Sequence, residues 1–297
     1  MKNQIVTIAA VLTVGLIAGC GGGGSTPAPS TAVSGKVADG YLAGATVFLD
    51  KNVDYQLEAG EPSAMTDANG AYTLMVDPAD MGKYPLMAMA IKGITIDKDT
   101  NQTVQNSYML SFPASAMSGT ANGNFISPMS TLIREKMAAN PLMTFNDAMI
   151  QLRNQMNMPA GTDMMADFVA GSQSGVNASR YQVMHTTAQQ MAGLMAGQAT
   201  FVMNGSGANQ NSYRSMMAMI NSNMSAIAAN VINGLDMNST FMTGMMSQMQ
   251  TQLGAMPISG GFTNYSGMFR NMTSSRYFWN TASGTTTPAT PMSGGMM

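Results

Sequence analysis

Two hydrophobic periodicities divide this chain. Between residues 33 and 120 the apolar positions come in short runs, Ala45–Leu49, Ala71–Val76, Tyr84–Ile94 and Ser107–Phe112, separated by turn residues. Between the first two runs, Asp67-Ala-Asn-Gly70 supplies residues that tolerate the positive φ of a tight connection. Short strands with frequent turn signals predict a small antiparallel β-sandwich. From 121 to 256 the spacing becomes helical. Ser127-Pro128 offers an N-cap hydroxyl and a proline at the first helical position. Thr144 with Asp147 is a capping arrangement in which Asp stands in for the usual Glu or Gln. Apolar stripes advance by threes and fours through Phe145, Met149, Leu152 and Met156, and then from Tyr181 through Met184, Ala188, Met191, Met195 and Ala199 to Val202. They continue through Tyr213, Met217, Ile220, Met224, Ile227 and Val231, and through Met242, Met245, Met249, Leu253 and Met256. With breaks at Asn204-Gly205 and Asn233-Gly234, the pattern predicts an antiparallel helical bundle. The expected fold class is thus α+β as separate domains, a small antiparallel β-sandwich followed by a helical bundle. Residues 257–297 turn to Gly, Ser, Thr and Asn, with aromatics at Phe262, Tyr265, Phe269, Tyr277, Phe278 and Trp279. That stretch is expected to pack as far as residue 281 and to be disordered beyond it.

The start of the chain has its own pattern. Lys2 precedes an apolar run of 13 residues, Ile5–Ile17, which ends in Ala18-Gly19-Cys20. A basic residue, a short apolar stretch and a small-residue cleavage site make an export signal. The run is too short to span a bilayer as a helix. Leu16-Ile17-Ala18-Gly19-Cys20 resembles the lipobox of bacterial lipoproteins. That resemblance implies removal of residues 1–19 and lipidation of Cys20, with several acyl chains (palmitate-type) holding the protein on a membrane. Gly21 follows the cysteine, and by resemblance to Gram-negative lipoproteins this implies the outer membrane. Residues 20–32, rich in Gly, Ser and Pro, read as a flexible tether.

Composition narrows the chemistry. Cys20 is the only cysteine and His185 the only histidine, so an internal disulfide, a zinc ribbon and most triad or transition-metal sites are excluded. Charged residues are 9% of the chain, against roughly 25% in ordinary soluble domains. Residues 33–120 carry ten acidic and five basic side chains, residues 121–297 five and seven. Beyond Tyr181 the only acidic side chain is Asp236. Paired carboxylates for acid–base work are missing there, and no basic cluster with interleaved aromatics suggests nucleic acid. The expectation is a protein without enzymatic activity.

Val37-Ala-Asp-Gly-Tyr-Leu-Ala-Gly-Ala-Thr-Val-Phe-Leu-Asp50, Gly60-Glu-Pro62 and Thr66-Asp-Ala-Asn-Gly-Ala-Tyr-Thr-Leu74 together resemble the carboxypeptidase-regulatory-like, transthyretin-like modules of exported bacterial proteins. The resemblance covers residues 33–80 and implies a small sandwich with a structural or binding role and no peptidase activity. Ile126–Leu132 and Asp167–Ala170 are similar to the helical region that follows such modules in uncharacterised proteobacterial lipoproteins, which implies no particular activity.

One loop has metal-ligand spacing. Asp50, Asn52, Asp54, Gln56, Glu58 and Glu61 occupy positions 1, 3, 5, 7, 9 and 12 of a twelve-residue segment, the spacing by which an EF-hand loop surrounds calcium with oxygens. Tyr55 occupies the sixth position, where the sharp turn normally takes glycine. The flanks read as strands, so the expectation is a calcium loop within a sandwich; the other reading is an acidic solvated loop.

Methionine supplies 35 of 297 residues. Its unbranched, polarizable side chain fills irregular cores, and the stripes place many methionines on apolar seams. Thioethers are also soft ligands for Cu(I). Met242, Met245, Met246 and Met249 share one helical face and are the candidate copper ligands. Met216, Met217 and Met219 form a second group, Met292, Met296 and Met297 a third, and His185 beside Met184 could add an imidazole. Surface methionines could also buffer oxidants. The leading expectation is a structural or binding lipoprotein of the cell envelope with a calcium-stabilised sandwich; the alternative is a periplasmic copper-binding protein.

Overall fold

The computed structural model describes residues 30–119 and 123–256. The export signal, Cys20, most of the tether, Met292, Met296, Met297 and the tail 257–297 lie outside the described residues. The fold is mixed α+β, with several small sheets and eight helices among the described residues.

The first strand, β1 (Thr31–Val37), begins inside the stretch expected to be tether and alternates inward and outward side chains. After β2 (Leu42–Ala43) and β3 (Thr46–Leu49) come β4 (Ser63–Met65) and β5 (Ala71–Val76). Antiparallel pairing of β1 with β5 runs from Thr31 opposite Val76 to Lys36 opposite Ala71. The turn before β5 forms as its sequence indicates, with Gly70 at φ +72°. Next come β6 (Leu86–Ala90), the short β7 (Ile96–Asp97) and β8 (Gln102–Thr103), and β9 (Tyr108–Phe112). One sheet has the order β4-β3-β6-β9, and a small one the order β2-β7-β8. Every residue of β6 and β9 is buried; both strands are covered on two faces, which explains their continuous apolar runs in place of alternation.

β10 (Asn124–Ile126) was not expected. It lies at the start of the helical half, yet it pairs in parallel with β1, Gly35 opposite Asn124 and Val37 opposite Ile126. The chain therefore returns to the first sheet before its first long helix.

That helix, α1 (Pro128–Ala139), opens on a capping box. The Ser127 hydroxyl accepts from Ser130 N–H, and the Ser130 hydroxyl accepts from Ser127 N–H. In α2 (Phe145–Gln155), Thr144 and Asp147 cap each other in the same reciprocal way. α3 (Phe168–Gly171) is a single turn capped by Asp167. The stripe from Tyr181 to Val202 divides into α4 (Ala178–Ala196) and α5 (Ala199–Val202), with Gly197 and Gln198 between them. At Asn204-Gly205 the chain makes a hairpin of β11 (Met203–Asn204) and β12 (Gly207–Ala208). The next stripe divides at Asn223 into α6 (Gln210–Ser222) and α7 (Met224–Ile232). α8 (Thr240–Gly254) ends the described chain.

Strands and helices share one hydrophobic core. A single cluster of buried side chains runs from Val33 to Leu253, with Met129 and Leu132 of α1 and Met109 of β9 among its members. Polar contacts cross between the halves as well: Lys36, Tyr41 and Asp167 form a mutual cluster, with Tyr41 OH 2.8 Å from the carboxylate and Lys36 Nζ 3.3 Å from it. The expected break near residue 120 is therefore not a break in packing.

Candidate functional site

The segment 50–61 leaves β3 and folds back on itself before β4. Asp50 is fully buried, and its carboxylate accepts from the backbone N–H groups of Asp54 and Tyr55, both at 3.1 Å. Burial pushes the Asp50 carboxyl up, while these donors and the nearby Arg134 pull it back. Glu61 closes the loop from the other end, accepting from Lys51 N–H at 2.6 Å and Glu58 N–H at 3.1 Å. Between these closures, the Asn52 amide bridges the carboxylates of Asp54 at 3.0 Å and Glu58 at 3.2 Å. Gln56 is bridged to Gly207 in antiparallel fashion. The bonds of that bridge are made by its neighbours, Ala208 N–H to the Tyr55 carbonyl and Leu57 N–H to the Ser206 carbonyl. The carbonyl of Gln56 itself consequently points away from the hairpin, to the side on which its N–H meets Asp54 at 2.8 Å. The Gln56 side chain turns the other way and donates to the Ala208 carbonyl at 2.5 Å.

Tyr55 makes the turn that its position requires. Its φ is +69°, in the left-handed region, and Val53 is at +60°. A non-glycine residue there is strained and persists only where its surroundings hold it. The holding is visible. The Tyr55 ring is fully buried and tilted against Tyr213 of α6, with centroids 5.0 Å apart, and the Arg134 guanidinium lies 4.3 Å from its centre. Its hydroxyl donates to the Glu135 carboxylate at 3.0 Å and accepts from Arg214 Nε at 3.1 Å. Glu135 is in turn ion-paired with Arg134. Burial keeps the Tyr55 phenol well above its ordinary value, so it remains a donor.

Sequence reasoning found the loop but missed this anchor. Arg134, Glu135, Tyr213 and Arg214 carry no motif. The available signal was the charged run Arg134-Glu135-Lys136 following the apolar pair Leu132-Ile133 within α1, where charge is seldom buried without a partner.

A second polar cluster, also missed, surrounds the tip of the β7–β8 hairpin. Asp99 accepts from Gln189 Nε2 at 2.7 Å and meets His185 Nε2 at 2.7 Å. His185, flagged in the sequence as a partner of thioethers, is instead the partner of a carboxylate. Asp39 lies beneath the hairpin and accepts from Tyr108 OH at 2.8 Å through Oδ2, while its buried Oδ1 has no partner. The alternation Asp97, Asp99, Asn101 was the legible signal here, a second acidic turn like the first.

The methionines proposed for copper pack in the core. Met242, Met245 and Met249 are buried, and Met246, half-buried, accepts from Gln198 Nε2 at 3.0 Å through its sulfur. Met216, Met217 and Met219 are buried as well. Among the described residues no three His, Cys, Asp or Glu side chains are grouped so as to hold a metal ion by themselves. The donors that converge in the 50–61 loop are two carboxylates and an amide, a set that suits a hard, oxygen-seeking cation better than a soft one. No helix of the described residues is long and apolar enough to cross a membrane.

Comparison of the chain with protein-family models, with curated proteins and with solved structures found no match.

Proposed function

We propose that this chain is a lipid-anchored protein of the cell envelope, tethered through Cys20 to the outer membrane, with a calcium-stabilised β-sandwich and a methionine-packed helical bundle. Its role is structural or binding, without catalysis. In this reading the sheets β10-β1-β5 and β4-β3-β6-β9 are the two leaves of the sandwich, and α1 to α8 form the bundle that covers it. The observation that carries the calcium assignment is the left-handed turn at Tyr55. Without it, Tyr at the sixth loop position would argue against a ligand-presenting turn; with it, Asn52, Asp54 and Glu58 meet on one side. Half a turn of the Asn52 amide would exchange its nitrogen for oxygen. Asn52, Asp54, Glu58 and the Gln56 carbonyl would then offer oxygens from four residues to one ion, with Asp50 and Glu61 holding the ends of the loop. The motif resemblance of residues 37–74 to carboxypeptidase-regulatory-like modules supports the same architecture.

Calcium titration during thermal unfolding tests the assignment. A ligand bound only by the folded chain adds about 1.4 kcal/mol for each tenfold rise in concentration above its dissociation constant. The melting temperature of the lipid-free chain should climb with calcium and not with magnesium, and Asp54→Asn/Glu58→Gln should abolish the climb. Equal calcium responses in the two proteins would overturn the assignment. The anchor is tested by fractionation: Cys20→Ser should move the protein out of the membrane fraction, and retention there would refute lipidation at this residue.

A further inference from the structure

The hairpin formed by β7 and β8 is fastened at three points. It pairs with β2, Leu42 opposite Asp97. Lys98 N–H donates to the Tyr41 carbonyl at 2.9 Å. At its tip, the Asp99 carboxylate reaches His185 and Gln189 on α4, both at 2.7 Å. Beneath the tip the chain passes as Asp39-Gly40, and only glycine fits: a Cβ on Gly40 would run into the Asp99 carboxylate and lie 2.8 Å from Asp97 Oδ1. Asp39 is thus sealed under two other carboxylates. The groups facing it are Tyr108 from β9, which donates to Oδ2 at 2.8 Å, and Asp97 and Asp99 from the hairpin. Its Oδ1 is buried and unpartnered. A buried, unpaired carboxylate oxygen beside two like charges is costly when ionised and tolerable when protonated.

We propose that Asp39, Asp97, Asp99 and His185 form a proton-operated latch, which holds the β7–β8 hairpin against helix α4 in acid and loosens it as the pH approaches neutrality. Burial, and then repulsion from Asp97, push the Asp39 carboxyl up to about 7. Lifting the hairpin uncovers Asp39 and removes both neighbours, returning it to the ordinary carboxylate range. The closed form therefore holds a proton that the open form releases. The contribution of Asp39 to closure is full below the ordinary carboxylate value and is lost as the pH rises to about 7. Each pH unit within that window shifts the balance toward the open form by up to about tenfold, and above it the effect levels off. Asp99 does not oppose this. Its hydrogen bond with His185 holds its carboxyl below the ordinary value, so its contribution is lost only at more acidic pH.

Amide hydrogen exchange of the full-length lipid-free chain tests the latch. Rates for the peptide spanning 94–105 are corrected for the intrinsic effect of pH and compared with those of the β6–β9 core. The opening constant of the hairpin should rise at least tenfold between about pH 5 and about pH 7 and then flatten. Asp39→Asn, which imitates the protonated acid, should hold the acid value throughout. Asp97→Asn should move the rise to lower pH. A hairpin whose corrected exchange is independent of pH in the native chain overturns the proposal, as does an unchanged rise in Asp39→Asn. Should Asp39→Asn fail to fold, the carboxyl carbon of Asp39 in the native chain gives the answer directly by NMR. Titration near neutrality supports the latch, and titration in the ordinary carboxylate range refutes it.

Discussion

Replacing Tyr55 by Phe removes one oxygen from the interior and leaves the ring contacts in place. The ring still lies against Tyr213 and under Arg134, so packing and the cation–π contact survive. What is lost is the donor to Glu135 at 3.0 Å and the acceptor for Arg214 at 3.1 Å. Both lost partners are charged, and a hydrogen bond to a charged group contributes about 1.5–3 kcal/mol. Arg134 remains paired with Glu135, which limits the damage, so a cost of about 2 kcal/mol is expected. Tyr213→Phe is the internal control. The Tyr213 hydroxyl donates at 2.9 Å to a neutral partner, the Met109 carbonyl, and its loss should cost about 1 kcal/mol. Urea unfolding of the two variants, compared at equal m-value, reads the difference. If Tyr55→Phe costs no more than Tyr213→Phe, then Glu135 and Arg214 do not depend on the loop, and the reasoning that ties the loop to α1 and α6 through charge is refuted. A double-mutant cycle with Glu135→Gln should give a coupling of at least about 0.5 kcal/mol.

Two further outcomes follow from burial alone. Met242, Met245 and Met249 are buried, so each change to Ala should cost about 2–5 kcal/mol and each change to Leu less than about 1.5 kcal/mol, measured by chemical unfolding. A fourfold Met→Leu variant that also changes Met246 should remain folded; if instead it unfolds while Cu(I) stabilises the native chain, the core role assigned to these side chains is wrong. Lys136, buried near the end of α1, has its ammonium pushed down to about 8 by desolvation. Above that value the unfolded chain keeps a proton that the folded chain has released, so stability should rise with pH by up to about 1.4 kcal/mol per unit until the lysine titrates in the unfolded chain as well. Lys136→Met should flatten that rise and stabilise the chain at neutral pH, and a steeper rise in the variant would contradict the burial argument.

The parts of the fold that could be read in the sequence are those fixed by neighbours along the chain. Ser127-Pro128, Thr144 with Asp147, and the strand Ala71–Val76 all depend on contacts within a few residues or on alternation within one strand. The helix breaks at Gly197-Gln198 and Asn223 escaped because a stripe advancing by threes and fours continues across a change of helix direction. β10 escaped because three residues next to a strong helix start carry no period. Thr31 and Ala32 resemble tether by composition and become strand only because Val76 and Met75 lie opposite them. The candidate loop was legible as spacing, and its one discordant residue was the informative one. Tyr55 is out of place by local rules because its partners lie 80 and 159 residues away, at Glu135 and Arg214. Similarly, Asp39 reads as an ordinary turn residue until the hairpin of Asp97 and Asp99 closes over it.

The position of β1 has a mechanical consequence. It is the central strand of its sheet, bonded on one side to β5 and on the other to β10, and it is the strand reached first from the proposed anchor. A force transmitted through the preceding segment would enter at Thr31 and act along the strand axis. The rows of hydrogen bonds to β5 and β10 would then be loaded together in shear, where an edge strand pulled from its end would peel one bond at a time. A protein tethered at this point would resist traction from its membrane with two ladders at once, and its yield point would lie in the β1–β5 and β1–β10 pairings rather than in the helices.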